Sequence, residues 1–247
     1  LRKKHLHFAK SSFKIALVIA TISALSQLFI GHKSAEVVSE YQPAKLAAFE
    51  GHFDSLAVAD MYLFGYVDKS KEKTVGIKIP KGLTFLTHQD FTTPIKGLKY
   101  FPPQDRPNSV NMVFQFYHIM IAIGIILILL TAYACLLWRK GKLFDKKWLM
   151  TIFMFSVLLP QLANQAGWFA AETGRQPWVV YGLLRTSDAL SKAVKANQVW
   201  FSLILFTLVY LLLFILFIYL LNKKILHGPY EDVTEHRPKQ MGMAEQF

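Results

Sequence analysis

The chain has 247 residues, of which 53% are hydrophobic, 14% aromatic and only 18% charged, a composition typical of an integral membrane protein and not of a soluble globular domain. The net charge of +12 arises largely from Lys and Arg that stand beside long apolar runs. Because no Arg-rich segment with interleaved aromatic residues accompanies this charge, we expect no nucleic-acid partner.

Four apolar stretches are long enough to cross a membrane as helices. A spanning helix needs about 20 apolar residues, and the sequence approaches or exceeds this length at roughly 11–30, 110–138, 148–171 and 198–221. Pro160 lies inside the third stretch and predicts a kink there, because proline removes a backbone donor. The sequence therefore predicts an all-α membrane protein with four transmembrane helices.

The basic residues predict which side of the membrane each segment faces. They are concentrated at the start of the chain, between the second and third stretches, and in the tail: Arg2, Lys3, Lys4, Lys10, Arg139, Lys140, Lys142, Lys146, Lys147, Lys223, Lys224, Arg237 and Lys239. Short basic segments stay cytoplasmic, and four spans put these three segments on one side. We expect a basic cytoplasmic start with the first helix at 1–30 and a long extracytoplasmic loop at 31–109. Three helices should follow at 110–221, and a cytoplasmic tail at 222–247.

The loop and the tail carry further local signals. Within the loop, residues 44–53 predict a short helix, and residues 75–79 and 83–87 predict a strand pair. Residues 227–247 are polar and contain Pro229 and Pro238, a pattern typical of a disordered tail.

The third apolar stretch ends in GWFAAETGRQPW, residues 167–178. Trp168, Glu172 and Arg175 stand at spacings of four and three, which puts them on one face of a helix. A carboxylate at the edge of the hydrocarbon layer is costly and indicates a functional site, although an acid and a base that cap the helix end are the alternative. Glu172 suits an iron ligand, a proton carrier or a cap. Arg175 could form an ion pair with Glu172 or with a haem propionate. Trp168 could stack on a planar cofactor or, like Trp178, belong to the interfacial aromatic belt.

The second apolar stretch opens with FQFYHIMIAIGI, in which His118 and Met120 offer a nitrogen and a sulfur ligand for haem iron. Two residues apart on a helix, these side chains point about 200° from each other, so they cannot bind the same iron. Packing inside the membrane is the alternative for both. In the outer loop, Lys45 and Glu50 are candidates to orient and deprotonate a small molecule, and a solvated amphipathic turn is the alternative for them.

Three segments together resemble a known family. GWFAAETGRQPW is similar, nearly letter for letter, to the GRQPW region of subunit I of cytochrome bd-type quinol oxidases. KLAAFE at 45–50 resembles the KLAAIE stretch of that family's quinol-binding loop, and HIMIAIG at 118–124 resembles its RIMV-type segment. The motifs occur in the family's order, and the resemblance covers essentially the whole chain. It implies that the four helices are the last four of a larger bundle.

The resemblance implies a role for each matching residue. Glu172 would be the axial ligand of the high-spin haem b, and Met120 one axial ligand of the low-spin haem b. Trp168 and Arg175 would line the haem region, with Arg175 as a propionate partner. Lys45 and Glu50 would contact the quinol, with Glu50 as a proton acceptor. The family also has a third macrocycle, either haem d or another haem b.

Two features depart from the family's pattern. His118 stands where the family has Arg, which changes how charge near the low-spin haem is balanced. The interval from Lys45 to Met120 is short, as in the branch with a compact quinol loop. In addition, the chain begins with Leu1 and no signal sequence, so we expect it to be a fragment. The histidine ligands of the haems would belong to the amino-terminal half of the subunit.

The resulting hypothesis is part of a terminal respiratory oxidase in the bacterial cytoplasmic (inner) membrane. It would oxidise quinol, reduce oxygen to water through haems, and generate a proton gradient without pumping. Its expected partners are the amino-terminal half of subunit I, subunit II of the oxidase, membrane lipid and quinol. The first alternative is a non-catalytic membrane anchor or assembly protein with a partner-binding outer loop. The second is a transporter bundle with Pro160, Asn164 and Gln165 along its substrate path.

These classes predict different optical spectra. Membranes that contain the full-length protein should show haem bands in a reduced-minus-oxidised difference spectrum if the chain belongs to an oxidase, since the haem iron changes oxidation state. Membranes from the same host without the protein are the control. Colourless protein without quinol-dependent oxygen uptake would favour the anchor or the transporter.

Overall fold

The computed structural model describes residues 5–54 and 56–228. In this part of the chain the α-helices are α1 Leu6–Tyr41, α2 Pro43–Phe49, α3 Gly82–His88, α4 Val110–Arg139, α5 Lys147–Ser156, α6 Leu159–Gly174 and α7 Ala196–His227. Short antiparallel strand pairs join β1 Leu56–Ala57 to β4 Ile95–Lys96, β2 Met61–Asp68 to β3 Lys73–Ile79, and β5 Trp178–Val180 to β6 Leu184–Arg185. The tail predicted to be disordered lies outside the described residues from Pro229 onward.

The structure confirms four helical segments of membrane length. Among the described residues, these segments are Leu6–Tyr41, Pro103–Arg139, Lys147–Gly174 and Ala196–His227. The first helix continues to Tyr41, past the predicted boundary at residue 30, so the first part of the segment assigned to the outer loop is helical. α4 has 30 residues and is about 45 Å long, whereas a hydrocarbon core is about 30 Å thick. Its polar first turns therefore extend beyond the core.

The chain divides into two compact units, Ala9–Leu190 and a second unit that contains α7. The first unit holds every element from α2 to β6. Within the described residues no side chain of α7 is buried, as expected for an apolar helix whose surroundings are lipid or other protein.

The kink predicted at Pro160 is confirmed. α5 ends at Ser156 and α6 begins at Leu159, with Pro160 in the first turn of α6. Proline is tolerated in this position because the first backbone N–H groups of a helix have no intrahelical acceptor. Asn164 and Gln165, on the helix that follows, are exposed among the described residues.

Small residues let α6 approach α4 closely. Ala166, Ala170 and Gly174 are the buried residues of α6, and they recur at intervals of four along one face. Such a small-residue face brings helix backbones together in membranes. Phe116 of α4 stacks on Phe169 of α6 with ring centroids 5.3 Å apart. This antiparallel helix pair is the framework on which the outer loop is built.

The hairpin of β2 and β3 packs on the polar first turns of α4. Asn111 Oδ1 accepts a hydrogen bond from the backbone N–H of Val67 at 3.0 Å, and Gln115 Nε2 donates to the carbonyl of Gly65 at 2.7 Å. His118 Nε2 lies 2.7 Å from the carbonyl oxygen of Tyr62. These polar residues of α4 therefore fix the hairpin at the amino-terminal end of the helix.

One strand of the predicted pair is confirmed, and the other is not. Residues 73–79 form β3, but its partner is β2, and the predicted strand at 83–87 is wrong because these residues lie in α3. Leu83, Thr84 and Thr87 are buried together on one face of this helix, and the Thr84 hydroxyl accepts a hydrogen bond from Ala59 N–H at 2.9 Å. Tertiary packing outweighs the β propensity of the threonines and the phenylalanine.

The hairpin generates a test of the outer loop. Gly76 faces Gly65 across the strands, and a Cβ at Gly76 would lie 2.0 Å from the carbonyl oxygen of Phe64. Gly76→Ala should therefore separate the strands at a cost of about 1–3 kcal/mol and speed tryptic cleavage of the lysine-rich turn 69–72 by roughly tenfold in membranes.

Gly31→Ala is the matched control, because in the described part of the chain a Cβ built there meets no atom within 4 Å beyond its chain neighbours and its own helix backbone. Equal cleavage rates in the two variants would contradict the close approach of the two strands.

Candidate functional site

The end of α6 brings two of the predicted site residues into direct contact. The guanidinium of Arg175 donates to Glu172 Oε2, and both side chains are 38% exposed. Among the described residues no hydrogen bond reaches Oε1, the second carboxylate oxygen of Glu172. Trp168, one turn earlier, is 57% exposed and meets Phe169 edge to face. The three residues follow one helix, but only Glu172 and Arg175 form a pair.

A cleft of about 100 Å³ lies between the beginning of α2 and the end of α6. α2 fits into this corner because Gly174 of α6 has no side chain: a Cβ there would lie 3.1 Å from both Phe49 and Val113. The polar side chains that line the cleft include Gln42, Lys45, Asp105, Glu172, Arg175 and Trp178. Lys45 of the outer loop and Glu172 of α6, which stand far apart in sequence, therefore share one cleft.

Three polar atoms of the cleft residues are buried without a hydrogen-bond partner among the described residues. They are the acceptor Gln42 Oε1 and the donors Arg175 Nε and Trp178 Nε1. An unsatisfied buried polar atom costs about 1–3 kcal/mol, so such atoms need a partner such as water or a bound group. The donors suit a carboxylate or another oxygen acceptor, and Gln42 suits a hydroxyl.

The charges around the cleft are partly balanced. Burial and the neighbouring Arg175 guanidinium lower the pKa of Lys45, and the Glu172 carboxylate opposes this shift. Asp105 forms an ion pair with Arg185, whose guanidinium also lies over the ring of Trp178 at 4.8 Å. Lys45 is thus the cation left without an acidic partner of its own among these cleft residues.

Glu50 lies outside the lining of this cleft. It caps the end of α2, five residues after Lys45, and only 2% of it is exposed. Burial raises the pKa of Glu50 to about 8, and a hydrogen bond from Tyr117 opposes this rise. The two residues predicted to contact one small molecule therefore occupy different environments: Lys45 faces a polar cleft, and Glu50 is buried.

Met120 and His118 make separate contacts, as their spacing predicts. A Cβ at Gly167 would lie 2.5 Å from Met120 Sδ, so the thioether occupies space that glycine leaves on α6. His118 is engaged by backbone, with Nδ1 2.8 Å from the carbonyl oxygen of Phe114 and Nε2 2.7 Å from that of Tyr62. Both ring nitrogens are occupied, which leaves Met120 as the better candidate ligand of the two.

Sequence reasoning missed several residues of the site. Gln42 carried no signal of its own, and Trp178 was assigned to the aromatic belt, although its indole N–H is buried at the cleft. Tyr117 was overlooked beside His118 and Met120, yet it meets Glu50. The available signal was proximity in sequence: Gln42 precedes KLAAFE, and Trp178 ends the GRQPW motif.

Taken together, the fold and this site define a multi-pass membrane protein with a polar cleft between α2, in the segment that follows the first long helix, and the membrane helix α6. The family described as cytochrome bd terminal oxidase subunit I matches residues 1–229 of the chain. The chain is 35% identical to cytochrome bd ubiquinol oxidase subunit 1 of Bacillus subtilis (strain 168), over 94% of this chain and 52% of the relative. It is 26% identical to cytochrome bd-II ubiquinol oxidase subunit 1 of Escherichia coli (strain K12), over 98% and 60%.

The fold has a counterpart among solved structures. The structure of bd oxidase from Geobacillus thermodenitrificans superposes with a TM-score of 0.77 at 27% identity, covering 92% of this chain and 52% of that chain. The chain therefore belongs to the cytochrome bd terminal oxidase subunit I family. It spans about half the length of the curated relatives that it matches.

Haem is the cofactor expected of this family, and the residues present fit it. Among the described residues no group of three or more His, Cys, Asp and Glu side chains could enclose a metal ion. A haem iron needs only axial ligands from protein, which a single thioether or carboxylate supplies. Among the residues that the structure describes, one Glu172 oxygen accepts no hydrogen bond, and the nearby Arg175 Nε, which also lacks a partner there, suits a propionate carboxylate.

The cleft geometry predicts a change in the reactivity of Lys45. Glu172→Gln removes the carboxylate that raises the pKa of Lys45, while Arg175, which lowers it, remains. The pKa of Lys45 should fall, and the neutral amine should be acetylated about two- to tenfold faster at a fixed pH below that pKa. Peptide mass spectrometry of briefly acetylated membranes measures this rate.

Glu72→Gln is the control for this experiment. Glu72 pairs with Arg106 and Lys99 elsewhere in the loop, so its neutralisation should leave Lys45 labelling unchanged. An unchanged or slower rate in Glu172→Gln would contradict the shared cleft.

Proposed function

We propose that this chain forms the carboxy-terminal part of a cytochrome bd-type quinol:oxygen oxidoreductase. The observation that carries this proposal is the shared cleft: Lys45, from the loop that resembles the quinol loop, faces the Glu172–Arg175 pair. An electron donor held at the loop would be adjacent to a cofactor held at α6. Membership in the family supports this function over a non-catalytic anchor or a transporter bundle.

The chain's own residues would bind and deprotonate quinol on the outer side. Lys45, with an ammonium 5.7 Å from the ring centroid of Phe49, would orient an oxygen of the quinol head group at the mouth of the cleft. Glu50 would accept a proton as the quinol is oxidised and pass it to the extracytoplasmic side. A carboxyl whose pKa is about 8 suits a proton acceptor near neutral pH, since acid–base groups work best close to the operating pH.

Two side chains of this part would hold haem iron. Met120 would be an axial ligand of a low-spin haem b and Glu172 the axial ligand of a high-spin haem b, with a third macrocycle, haem d or haem b, in the same subunit. When bound, these haems supply one-electron transfer and the reduction of oxygen. Arg175 would neutralise a propionate, and the exposed ring of Trp168, one turn from Glu172, would offer a face to a porphyrin.

The exposed faces of the chain support its assembly with further protein and lipid. The amino-terminal half of subunit I would supply the missing histidine ligands and cover polar α6 residues such as Asn164 and Gln165. Subunit II and membrane lipid would cover further apolar surface. In the bacterial cytoplasmic (inner) membrane, quinol protons would leave on the outer side while protons for water come from the cytoplasm. This separation stores about 2.3 kcal/mol per charge per 100 mV without a proton pump.

The ligand assignment of Glu172 is tested by its removal. Glu172→Ala in the reassembled enzyme should abolish the high-spin haem b signal, because alanine offers iron no oxygen, and should leave the low-spin signal that depends on Met120. Absorption and electron paramagnetic resonance spectra measure both signals.

Glu72→Ala is the matched control, since Glu72 is also partly exposed and paired with an arginine. It should leave both signals intact. A high-spin signal that survives Glu172→Ala at its full amplitude would remove this assignment.

A further inference from the structure

The strongest feature that the proposed function leaves unused is the contact of Glu50 with Tyr117 of α4. Phe49, the residue before Glu50, stacks on the Tyr117 ring with centroids 4.5 Å apart and planes 11° apart. This stack fixes the end of α2 against α4. It brings the phenol of Tyr117 to the buried carboxyl of Glu50, where the phenol hydroxyl favours the charged form of that carboxyl.

The Glu50 carboxyl has a second oxygen that is not engaged. Oε2 is buried and has no hydrogen-bond partner among the described residues. The backbone reinforces the position of the side chain: Glu50 N–H donates to the carbonyl of Leu46 at 3.1 Å, and Gly51, which follows in the left-handed region, accepts a 2.6 Å bond from the Thr74 hydroxyl. The carboxyl thus meets Tyr117 and keeps one buried oxygen, Oε2, without a donor among the described residues.

The other ionisable groups nearby interact with residues other than Glu50. Lys45, earlier on α2, faces Arg175 and Glu172 of α6. His118, next to Tyr117 on α4, is engaged by two backbone carbonyls. The Ile95 backbone, Asp54 and Asp60 act on the pKa of His52, two residues after Glu50, whose Nε2 is buried without a hydrogen-bond partner among the described residues. Tyr62 of β2 donates to the carbonyl of Thr74. Within the described residues, Tyr117 is the ionisable side chain that interacts with Glu50.

We propose that Tyr117 is a positioning residue for quinol oxidation: its hydroxyl holds one oxygen of the Glu50 carboxylate and turns Oε2 toward the quinol proton. The inference rests on the proposed role of Glu50 as proton acceptor. As one O–H bond of the quinol breaks, an O–H bond would form at Oε2, and the electron released would be accepted by the low-spin haem that Met120 would hold. The proton then leaves to the outer side, and the carboxylate is restored with its Tyr117 hydrogen bond intact.

The test is an infrared pH titration of the Glu50 carboxyl band in the complete oxidase. Glu50→Gln identifies the band by its loss. In the parent protein the midpoint should lie near the pKa of about 8. Tyr117→Phe keeps the stacked ring and removes the donor that favours the charged form, so the midpoint should rise by about one pH unit.

Tyr62→Phe is the matched control, because it removes a tyrosine hydroxyl that donates elsewhere in the same cluster at 3.2 Å, and it should not move the midpoint. An unchanged midpoint in Tyr117→Phe would overturn the inference. If that variant fails to assemble with haem, Phe49→Leu decides, since it loosens the stack and keeps the hydroxyl. In Phe49→Leu the midpoint should rise by less than in Tyr117→Phe, and an unchanged midpoint would overturn the inference.

Quinol-oxidase activity separates this inference from the proposed function. Glu50 accepts a proton only when ionised, so activity should increase with pH through the infrared midpoint and should shift upward with it in Tyr117→Phe. A midpoint that moves while the activity profile stays fixed would reject Glu50 as the acceptor but retain its coupling to Tyr117. A Glu50→Gln variant without activity, combined with an unmoved midpoint, would reject Tyr117 alone.

Discussion

The close approach of α4 and α6 is the constraint on which the rest of the site depends. Gly167 gives space to the Met120 thioether, and Gly174 gives space to Phe49 and Val113. Dispersion contacts between such closely packed helices replace the hydrophobic effect, which does not operate between helices inside lipid. The same helix pair therefore carries Met120 and Glu172, and its outer end forms the corner that receives α2. A larger side chain at either glycine would displace a proposed functional residue.

The corner separates two electrostatic environments only five residues apart on α2. Lys45, Glu172 and Arg175 are partly exposed and share a polar cleft, where opposite charges compensate each other. Glu50 is buried among apolar side chains, where an isolated carboxylate is costly, and its pKa rises to about 8. One short helix and its capping residue thus provide two functional groups. The first is a cation that can contact a ligand oxygen, and the second is a carboxyl whose protonation changes near neutral pH. This division suits the proposed orientation and deprotonation of quinol.

Hydropathy and motif spacing predicted much of the fold and part of the site. The four membrane-length segments and the break at Pro160 followed from local composition, because apolar length and a missing backbone donor act locally. The strand at 83–87 failed because burial of Thr84 and Thr87 against other elements decided its structure. The resemblance identified Lys45, Glu50, Met120 and Glu172, and their assigned roles remain predictions.

The remaining features of the site depend on tertiary contacts that no local pattern encodes. The separation of Lys45 from Glu50 follows from the position of α2 between two helices that come much later in the chain. Tyr117 acquires its role from the stack on Phe49, and Trp178 from the turn that buries its indole N–H. A small-residue face at 166, 170 and 174 was visible in the sequence, and it could have predicted the tight α4–α6 contact.

The most direct measurement of the central claim is an experimental density map of the complete oxidase with its cofactors bound. We expect haem iron on Met120 Sδ and a second haem iron on a Glu172 oxygen, both held by the α4–α6 pair, with α2 packed in the corner between these helices. A map in which Met120 packs only against α6, and Glu172 meets Arg175 and water with no porphyrin nearby, would contradict it.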